Sequence, residues 1–495
     1  MKVRIKKSSL SGEVRCPASK SYTHRAIAIS SLTGGKSRLS NILISRDTIA
    51  TLKSCIMLGS EVEIKCKGGL LDDHSEKTLG ISQLDAIKDL LHNKANLNAN
   101  YDGTVDLEVR GKEVSGGLNV PNDVLQADNS GTTIRLLTSM CALVTNGYSV
   151  LSGDESLRKR PMKDLLKALS QLGVTCFSTN SNDFPPIIVK GGGIAGGRAQ
   201  LSGKISSQFL SSLLLSGVFS KEGITLEILG QQVSKPYVES TLHIMNRYGI
   251  KLRSEISSND NPGIKYTKLE TGPGGSDTKV TARYDIDKQM QYRSTDFVVP
   301  GDFSIAALLF SAAFLSESLI SVSCLDFKTP QGDMQIIDII KEMGGKIILD
   351  EVRGTARVDG GSKLNGGTFD LRKTPDLLPV VAVLSLKSNG ITKITGITHA
   401  RYKETDRVAN IATELTKFGA RVVEQNDSIE IEPPKQIQNA SVQSYNDHRL
   451  FMAFAIAGLS TSHTEVDGAD SVDVSYPKFV SDIAKIGGRI EYINR

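Results

Sequence analysis

Side chains suited to binding anions stand at the predicted openings of several helices. Lys20 and Arg25 lie in PASKSYTHR, Gly131 opens the helix of NSGTTIRLL, and Gln208 lies in ISSQFLSSLL. Free N–H groups and the helix dipole attract anions at a helix N-terminus, where Lys, Arg and Ser complete a phosphate or carboxylate site. One such opening alone would ordinarily be a solvated cap, but several at equivalent places favour a site for anionic substrates. The candidates are Lys20, Ser21, Arg25, Asn129, Gly131, Thr132, Arg135, Ser206, Ser207, Gln208, Asp447, His448 and Arg449.

A second group of charged residues lies in HARYKETDRVANIATEL, at positions 399 to 415. We expect a helix that carries Lys403 and Arg407 one turn apart on one face, with Glu404 beside them. Two such cations repel each other unless an anion lies between them or water screens them. This segment alone therefore fits a solvated helix start as well as it fits a functional site.

Three more candidates lie in other connections. Arg160 stands directly before Pro161, which fits the first turn of a helix. Tyr237, in SKPYVES, offers a hydroxyl but would by itself belong to a routine turn, and Asp376 opens the helix of TPDLLP.

These openings recur because the chain repeats one pattern six times. Each unit runs for 39 to 43 residues from a helix opening to a glycine that closes a second helix, and the fourth unit reads β-α-β-α-β-β. A period of this length over a whole chain indicates one folded unit used repeatedly. The first helices are nearly apolar all round and should be buried, with Ser, Asp or Asn at the cap in five of six. The openings are Lys20, Gly131, Ser207, Asp302, Asp376 and Asp447, and the closing glycines are Gly59, Gly173, Gly249, Gly344, Gly419 and Gly487.

Two connections between units are enlarged. The first contains residues 81–94, whose apolar positions Ile81, Leu84, Ile87 and Leu91 predict an amphipathic surface helix. The third holds the polar, turn-rich residues 254–277, which we interpret as a hairpin region near a domain boundary at about residue 299.

Composition narrows the function further. The 495 residues exceed what one core supports, and 39% hydrophobic with 23% charged residues fits a soluble globular protein. A net charge of +5 is too weak to indicate nucleic acid by itself. The six cysteines form no CxxC pair, and the opening MKVRIKKSSLSGEVRC has no apolar signal core, so we expect a reducing, cytoplasmic location.

No motif predicts a metal or a cofactor. The seven histidines show no metal-binding spacing, and GGKS at 34–37 lacks the first glycine of a phosphate-binding loop. The glycine clusters at 191–198 and 272–277 lack the strand-then-helix setting of a dinucleotide site, so we interpret them as hairpin turns.

Taken together, the motifs resemble those of the enolpyruvyl transferase family, and the match is closest to its members that act on shikimate 3-phosphate. The resemblance implies an α/β (α+β) protein of two similar domains, each of three β-α-β-α-β-β units, in the family's inside-out α/β barrel. The first domain would take residues 17–299 and the second residues 1–16 with 300–495. The matching stretches are PASKSYTHR, NSGTTIRLL, KRPM, ISSQFLSSLL, SKPYVEST, PGDFS, TPDLLP, YKETDR and NDHR.

The resemblance also implies a reaction, in which the enolpyruvyl group of phosphoenolpyruvate passes to the 5-hydroxyl of shikimate 3-phosphate on the way to chorismate and the aromatic amino acids. Asp376 would be the base on the hydroxyl, Glu404 the acid and base at C3, and Lys20 a stabiliser and proton donor to the leaving phosphate. No covalent enzyme nucleophile, cofactor, nucleic acid or membrane is implied, and we expect a monomer. Matched to shikimate 3-phosphate contacts are Lys20, Ser21, Arg25, Ser206, Ser207, Gln208, Ser234, Tyr237, Asp376 and Lys403. Matched to phosphoenolpyruvate contacts are Lys20, Gly131, Arg160, Gln208, Arg407 and Arg449.

The chain departs from the family pattern at two positions. Val474 stands where many members have a lysine that reaches phosphoenolpyruvate, so Lys478 or another cation must substitute, or the contact is absent. His399 stands where some members have asparagine. Gly131 leaves room beside the phosphoenolpyruvate site, and the resemblance therefore implies inhibition by glyphosate.

Three alternatives remain at this stage. The family branch that acts on UDP-N-acetylglucosamine typically carries a cysteine in the loop that here reads GDESLRKRP. RNA 3′-phosphate cyclases use related repeats with a nucleotide-bound histidine and a basic RNA surface, and YKETDR has no role in them. A catalytically inactive phosphosugar-binding relative is disfavoured by Lys20, Asp376, Glu404 and Arg407.

Overall fold

The structure is a computed structural model, and it describes residues 1–65, 77–78, 80–92, 104–204, 206–256 and 279–493. The glycine cluster at 272–277 lies outside the described residues, as does all but the start of the predicted hairpin region at 254–277.

The first helix of each repeat forms the core of that repeat. In α8 (Phe303–Leu315) all thirteen residues are buried, and its N-cap Asp302 accepts hydrogen bonds from the Ser304 and Ile305 N–H groups. This burial follows from a helix with no polar face. The other helices are α1 Lys20–Ser31, α2 Arg46–Met57, α3 Ile81–His92, α4 Gly131–Cys141, α5 Lys163–Gln171, α6 Ser207–Gly217, α7 Lys235–Arg247, α9 Ile336–Glu342, α10 Leu378–Leu384, α11 Arg407–Lys417, α12 His448–Gly458 and α13 Phe479–Lys485.

The strands are short, as the repeat predicts. They are β1 Lys2–Lys6, β2 Ser11–Arg15, β3 Lys36–Leu43, β4 Glu61–Lys65, β5 Lys77–Thr78, β6 Thr104–Arg110, β7 Leu125–Gln126, β8 Tyr148–Ser152, β9 Cys176–Ser178, β10 Ile187–Lys190, β11 Gly197–Ser202, β12 Ile224–Leu229, β13 Arg253–Ile256, β14 Val280–Ile286, β15 Phe297–Val298, β16 Leu319–Ser323, β17 Lys346–Asp350, β18 Thr355–Asp359, β19 Leu364–Asn365, β20 Thr368–Asp370, β21 Ser388–Asn389, β22 Thr392–Thr395, β23 Arg421–Glu424, β24 Ser428–Glu432, β25 Ala440–Val442, β26 Thr464–Asp467 and β27 Arg489–Ile493.

Each repeat builds one sheet with the same connectivity. In the fifth repeat β20 pairs parallel with β22, β22 pairs antiparallel with β24, and β24 pairs antiparallel with β23. The parallel pair requires a crossover, which α10 supplies, and α11 links β22 to the β23–β24 hairpin. The equivalent sheets have the orders β15-β3-β6-β4-β5, β7-β8-β10-β9, β11-β12-β14-β13, β2-β16-β18-β17 and β25-β26-β1-β27.

The described residues form two compact units. One contains the described residues of Lys20–Leu90 and Asn96–Val299, and the other contains Met1–Ser19 with the described residues of Leu91–Ala95 and Pro300–Arg495. Three sheets contain a strand from a distant part of the chain: β15 pairs with β3, β2 pairs with β16, and β1 lies between β26 and β27. Each unit therefore holds three of the six repeated sheets.

The closing glycines share a left-handed backbone conformation. All six have positive φ, for example 108° at Gly59 and 104° at Gly487, which only glycine adopts without strain. The amphipathic helix at 81–94 is also present as α3, with Leu84 and Ile87 buried and Ile81 exposed.

Three local predictions were wrong. The helix at Asp376 opens as a 3-10 turn, Pro375–Leu377, whose cap residue Thr374 makes no side-chain capping bond, and the α-helix α10 begins only at Leu378. Arg160 precedes the helix α5 instead of lying in its first turn. The glycines at 191–196 connect β10 to β11, which belong to different sheets, so they do not form a hairpin turn.

None of the helices in the described part of the chain is long and apolar enough to cross a membrane. The five cysteines in that part, Cys16, Cys55, Cys141, Cys176 and Cys324, are free thiols.

Candidate active site

Arg407 is the centre of a charged cluster in the unit that contains residues 300–495. It is the first residue of α11, it is 1% exposed, and its guanidinium contacts three carboxylates. Nε lies 2.7 Å from Asp447 Oδ2, Nη1 lies 2.8 Å from Asp376 Oδ1, and Nη2 lies 2.7 Å from Glu404 Oε2. The planar guanidinium presents five N–H donors in a rigid fork, so it can meet several carboxylates in a fixed geometry that a single ammonium nitrogen cannot reproduce.

Asp376 is the carboxylate on which the cations converge. Two cations approach Asp376 in addition to Arg407. Arg449 Nη2 lies 3.2 Å from Asp376 Oδ2, and Lys403 Nζ lies 3.5 Å from Asp376 Oδ1. Burial alone would raise the pKa of Asp376, but Arg449, Lys403 and Arg407 together hold it well below its usual range. The side chain is therefore ionised at neutral pH and accepts hydrogen bonds.

The segment around Lys403 differs from the sequence-based expectation. Lys403 lies outside the helix, at the end of the 3-10 turn Thr398–Tyr402, so it does not share a helical face with Arg407. The two cations nevertheless approach the same oxygen of Asp376. The anion that relieves their repulsion is thus a side chain from the neighbouring helix opening.

Arg449 points to an anionic ligand. It is the second residue of α12, its side chain is 8% exposed, and its Nη1 has no hydrogen-bond partner among the described residues. A buried donor without a partner is costly unless a ligand or water completes it.

Asp333 is a buried carboxyl beside this cluster that the sequence reasoning missed. It accepts a hydrogen bond from Ser304 Oγ, and it interacts electrostatically with Asp376 and Arg449. Burial and the charge of Asp376 raise its pKa to about 6. A weak signal was available in the sequence, because Asp333 lies in the 3-10 turn that leads into the second helix of its repeat, near the place that Asp47 occupies at the start of α2 in the first repeat.

In the other unit, Lys20 is the first residue of α1 and its Nζ lies 3.0 Å from Asp47 Oδ2. Both side chains are largely buried, at 14% and 5% exposure. Ser45, the N-cap of α2, forms a capping box with Thr48 that fixes the turn carrying Asp47. The ammonium group is therefore held at the helix opening where an anion would bind.

Arg25 has partners on three helices. Its Nε donates to Thr241 Oγ1 at 2.7 Å, and its Nη groups contact the Ser21 carbonyl, Ser211 Oγ and the Tyr237 carbonyl. Burial lowers the pKa of Arg25 to about 10, so it remains a cation. This arrangement fixes α7, with Tyr237, against α1.

Gly131 lies between two guanidinium groups. A Cβ on this residue would meet Arg160 Nη1 at 3.1 Å and Arg135 Nη1 at 3.2 Å, which is tighter than most Cβ contacts. Arg135 donates to Gln208 Oε1, and Gln208 Nε2 donates to Thr132 Oγ1 at 2.9 Å. The openings of α4 and α6 are thus linked through Gln208. Arg135, one of the residues proposed from the sequence, stands one turn into α4.

The remaining candidates have simpler settings. Ser206 caps α6 and accepts from the Gln208 N–H, Ser207 is the first residue of that helix, and Ser234 caps α7 with φ of 54°. Burial lowers the pKa of His399 to about 4. Val474 is buried in the 3-10 turn Ala469–Val474, and Lys478 Nζ lies 3.9 Å from Asp482 Oδ1.

Within the described ranges, no group of three or more His, Cys, Asp or Glu side chains is placed to hold a metal ion.

Known proteins match this chain along its whole length. The sequence profile of the family described as EPSP synthase (3-phosphoshikimate 1-carboxyvinyltransferase) matches residues 5–90, 83–267 and 276–483. A 3-phosphoshikimate 1-carboxyvinyltransferase of Methanosarcina acetivorans is 37% identical over 495 residues, which cover 100% of both chains. The protein of that name from Nitrosopumilus maritimus is 36% identical over 491 residues, covering 99% of this chain and 100% of the relative.

The fold matches as well. The solved structure of the EPSP synthase from Acinetobacter baumannii superposes with a TM-score of 0.72 over 99% of this chain and 100% of that one, at 22% identity. This likeness confirms the predicted two-domain α/β fold of enolpyruvyl transferases. By the full-length sequence matches, the chain belongs to the EPSP synthase family.

Proposed function

We propose that this chain transfers the enolpyruvyl group of phosphoenolpyruvate to the 5-hydroxyl of shikimate 3-phosphate and releases phosphate, in the shikimate pathway to chorismate and the aromatic amino acids. Family membership supports the reaction. One geometric observation supports the roles of the residues: the buried Arg407 holds both candidate catalytic carboxylates, Asp376 and Glu404, within 2.8 Å of its guanidinium.

The substrates each carry a phosphate and a carboxylate, so their contacts must be cationic and pre-organised. Arginine binds either group through two parallel N–H donors. Arg449 suits phosphoenolpyruvate because its buried Nη1 lacks a partner among the described residues. We assign shikimate 3-phosphate to Lys20, Ser21, Arg25, Ser206, Ser207, Gln208, Ser234, Tyr237, Asp376 and Lys403, and phosphoenolpyruvate to Lys20, Gly131, Arg160, Gln208, Arg407 and Arg449.

The chemistry is addition followed by elimination. The 5-hydroxyl attacks C2 of phosphoenolpyruvate while C3 gains a proton from Glu404, and the tetrahedral intermediate then loses a C3 proton and phosphate. Three cations make Asp376 a weak base in the free protein. The negative charges of bound substrates offset those cations and raise the proton affinity of Asp376, so it accepts the hydroxyl proton only in the complex. Lys20 stabilises and protonates the departing phosphate.

Four further assignments accompany this function. The two three-repeat domains are residues 17–299 and residues 1–16 with 300–495. The protein acts as a monomer in the cytoplasm. Glyphosate inhibits it in competition with phosphoenolpyruvate, because Gly131 has no side chain to fill the space beside Arg160. Insensitivity at millimolar glyphosate would contradict this last assignment.

The comparisons do not favour transfer to UDP-N-acetylglucosamine, and the loop 153–161 has no cysteine. The experiment is phosphate release from phosphoenolpyruvate with shikimate 3-phosphate and, separately, with UDP-N-acetylglucosamine, using Lys20→Ala as the blank. Release only with shikimate 3-phosphate supports the proposal. Release only with the nucleotide sugar, or with neither, rejects it.

A further inference from the structure

The segment that delivers Asp447 and Arg449 to the charged cluster has a strained backbone. Tyr445 and Asn446 have φ of 54° and 58°, so two consecutive non-glycine residues adopt the left-handed conformation directly before Asp447. For a bulky residue such as tyrosine this conformation is rare, and it persists only where surrounding contacts fix it.

Those contacts come from Glu414 on α11. Its side chain is fully buried, and it accepts hydrogen bonds from the Tyr445 hydroxyl at 2.7 Å and from the Gln443 N–H at 3.0 Å. Lys417 Nζ, 2.7 Å from the same carboxylate, balances its charge. Burial and the bond to Glu414 raise the pKa of Tyr445 to about 12, so the hydroxyl remains a donor at neutral pH.

The same helix holds the segment at its other end. Arg407, seven residues before Glu414 and therefore two turns away on the same side of α11, binds Asp447 through Nε at 2.7 Å and Nη2 at 3.3 Å. The side chains of Arg407 and Glu414 thus bind residues 443–447 at points roughly 10 Å apart along the helix axis. The mechanism above gives Glu414 and Tyr445 no role.

We infer that Glu414 and Tyr445 are positioning residues for phosphoenolpyruvate binding, because they fix the strained segment 443–447 and with it the place of Arg449 at the opening of α12. This inference rests on the proposed function. It predicts that releasing the Tyr445 hydroxyl lets Asp447 and Arg449 move, although neither residue is changed.

The test compares Tyr445→Phe with the wild type in two measurements. The matched control is Tyr148→Phe, which removes a hydroxyl from an exposed tyrosine of β8 in the other unit. In Tyr445→Phe, amide hydrogen exchange of residues 443–449 should accelerate at least tenfold. KM for phosphoenolpyruvate should rise at least fivefold while KM for shikimate 3-phosphate stays within twofold. The control should change neither.

Glu414→Gln provides a second variant, and in the double variant the increase in KM should be smaller than the product of the two single effects. A lower melting temperature with unchanged KM for phosphoenolpyruvate would overturn the positioning role, as would unchanged exchange at residues 443–449. If the wild type shows no phosphate release, the proposed function fails, and the exchange measurement still decides whether Glu414 and Tyr445 fix the segment.

Discussion

Replacing Arg407 by lysine should destabilise the protein strongly even though the charge is kept. The guanidinium makes four hydrogen bonds to the carboxylates of Asp447, Asp376 and Glu404. A single ammonium group reaches at most one of these side chains well, so at least two carboxylates lose their hydrogen bonds to residue 407. A hydrogen bond to a charged group contributes about 1.5–3 kcal/mol, which gives a loss of about 3–6 kcal/mol for Arg407→Lys.

Urea unfolding followed by circular dichroism measures this loss, since the chain contains no tryptophan for fluorescence. Arg421→Lys is the control, because Arg421 pairs with Glu432 at 3.5 Å on the surface and its side chain is 80% exposed. This control should change the free energy of unfolding by less than ~1 kcal/mol. If Arg407→Lys is as stable as the control, Arg407 does not hold the three carboxylates together and the account of the cluster is wrong.

Four other predictions concern single side chains. His399 has a folded-state pKa of about 4, below the usual value of 6.5. Its contribution to the free energy of unfolding is therefore complete above pH 6.5 and is lost as the pH falls toward 4. Between pH 7.5 and pH 5, His399→Asn should therefore lose about 2 kcal/mol less stability than the wild type in urea unfolding, and equal losses would refute this. Asp333 has a raised pKa of about 6, so it stabilises the folded state below pH 4 and loses that contribution as the pH rises through 6. The difference in stability between Asp333→Asn and the wild type should therefore shift in favour of the variant between pH 4 and pH 7.5. No such shift would contradict the raised pKa. Gly131→Ala should raise KM for phosphoenolpyruvate and the glyphosate concentration for half inhibition several-fold, because the methyl group displaces Arg160, and an unchanged KM would argue against that contact. Glu404→Gln should lower kcat at least a hundredfold in a phosphate-release assay, and near-normal turnover would remove Glu404 from the chemistry.

The repeat made much of the fold predictable from sequence. A period near 40 residues with a glycine at each helix end specifies where each repeat starts and stops, and all six glycines have positive φ. The strand order within each sheet follows from one repeat once the β-α-β-α-β-β pattern is read. The pattern could not predict that β15, β2 and β1 complete sheets whose other strands are far away in sequence. Such pairings depend on tertiary packing, and local periodicity carries no information about it.

The residues of the site could be predicted from their types and positions in the sequence, but the residues that they contact could not. Lys403 and Arg407 were identified from their spacing, yet the sequence placed them on one helix, whereas a break after Tyr402 separates them and Asp376 joins them. Asp333 gave no distinctive signal, because an acidic residue before a helix is ordinarily a solvated cap, and only the fold shows it buried. No sequence pattern indicates a structural role for Glu414, because a glutamate late in an amphipathic helix is ordinarily solvated. Only the fold shows that its side chain is buried.

The most direct test of the central claim is proton and phosphorus NMR of the wild type with equal amounts of phosphoenolpyruvate and shikimate 3-phosphate. We predict one inorganic phosphate for each shikimate 3-phosphate consumed, together with vinyl proton signals of a new enol ether at C5. Phosphate without the enol ether would mean hydrolysis instead of transfer, and unchanged substrates would mean that the chain lacks this activity; either result would contradict the account.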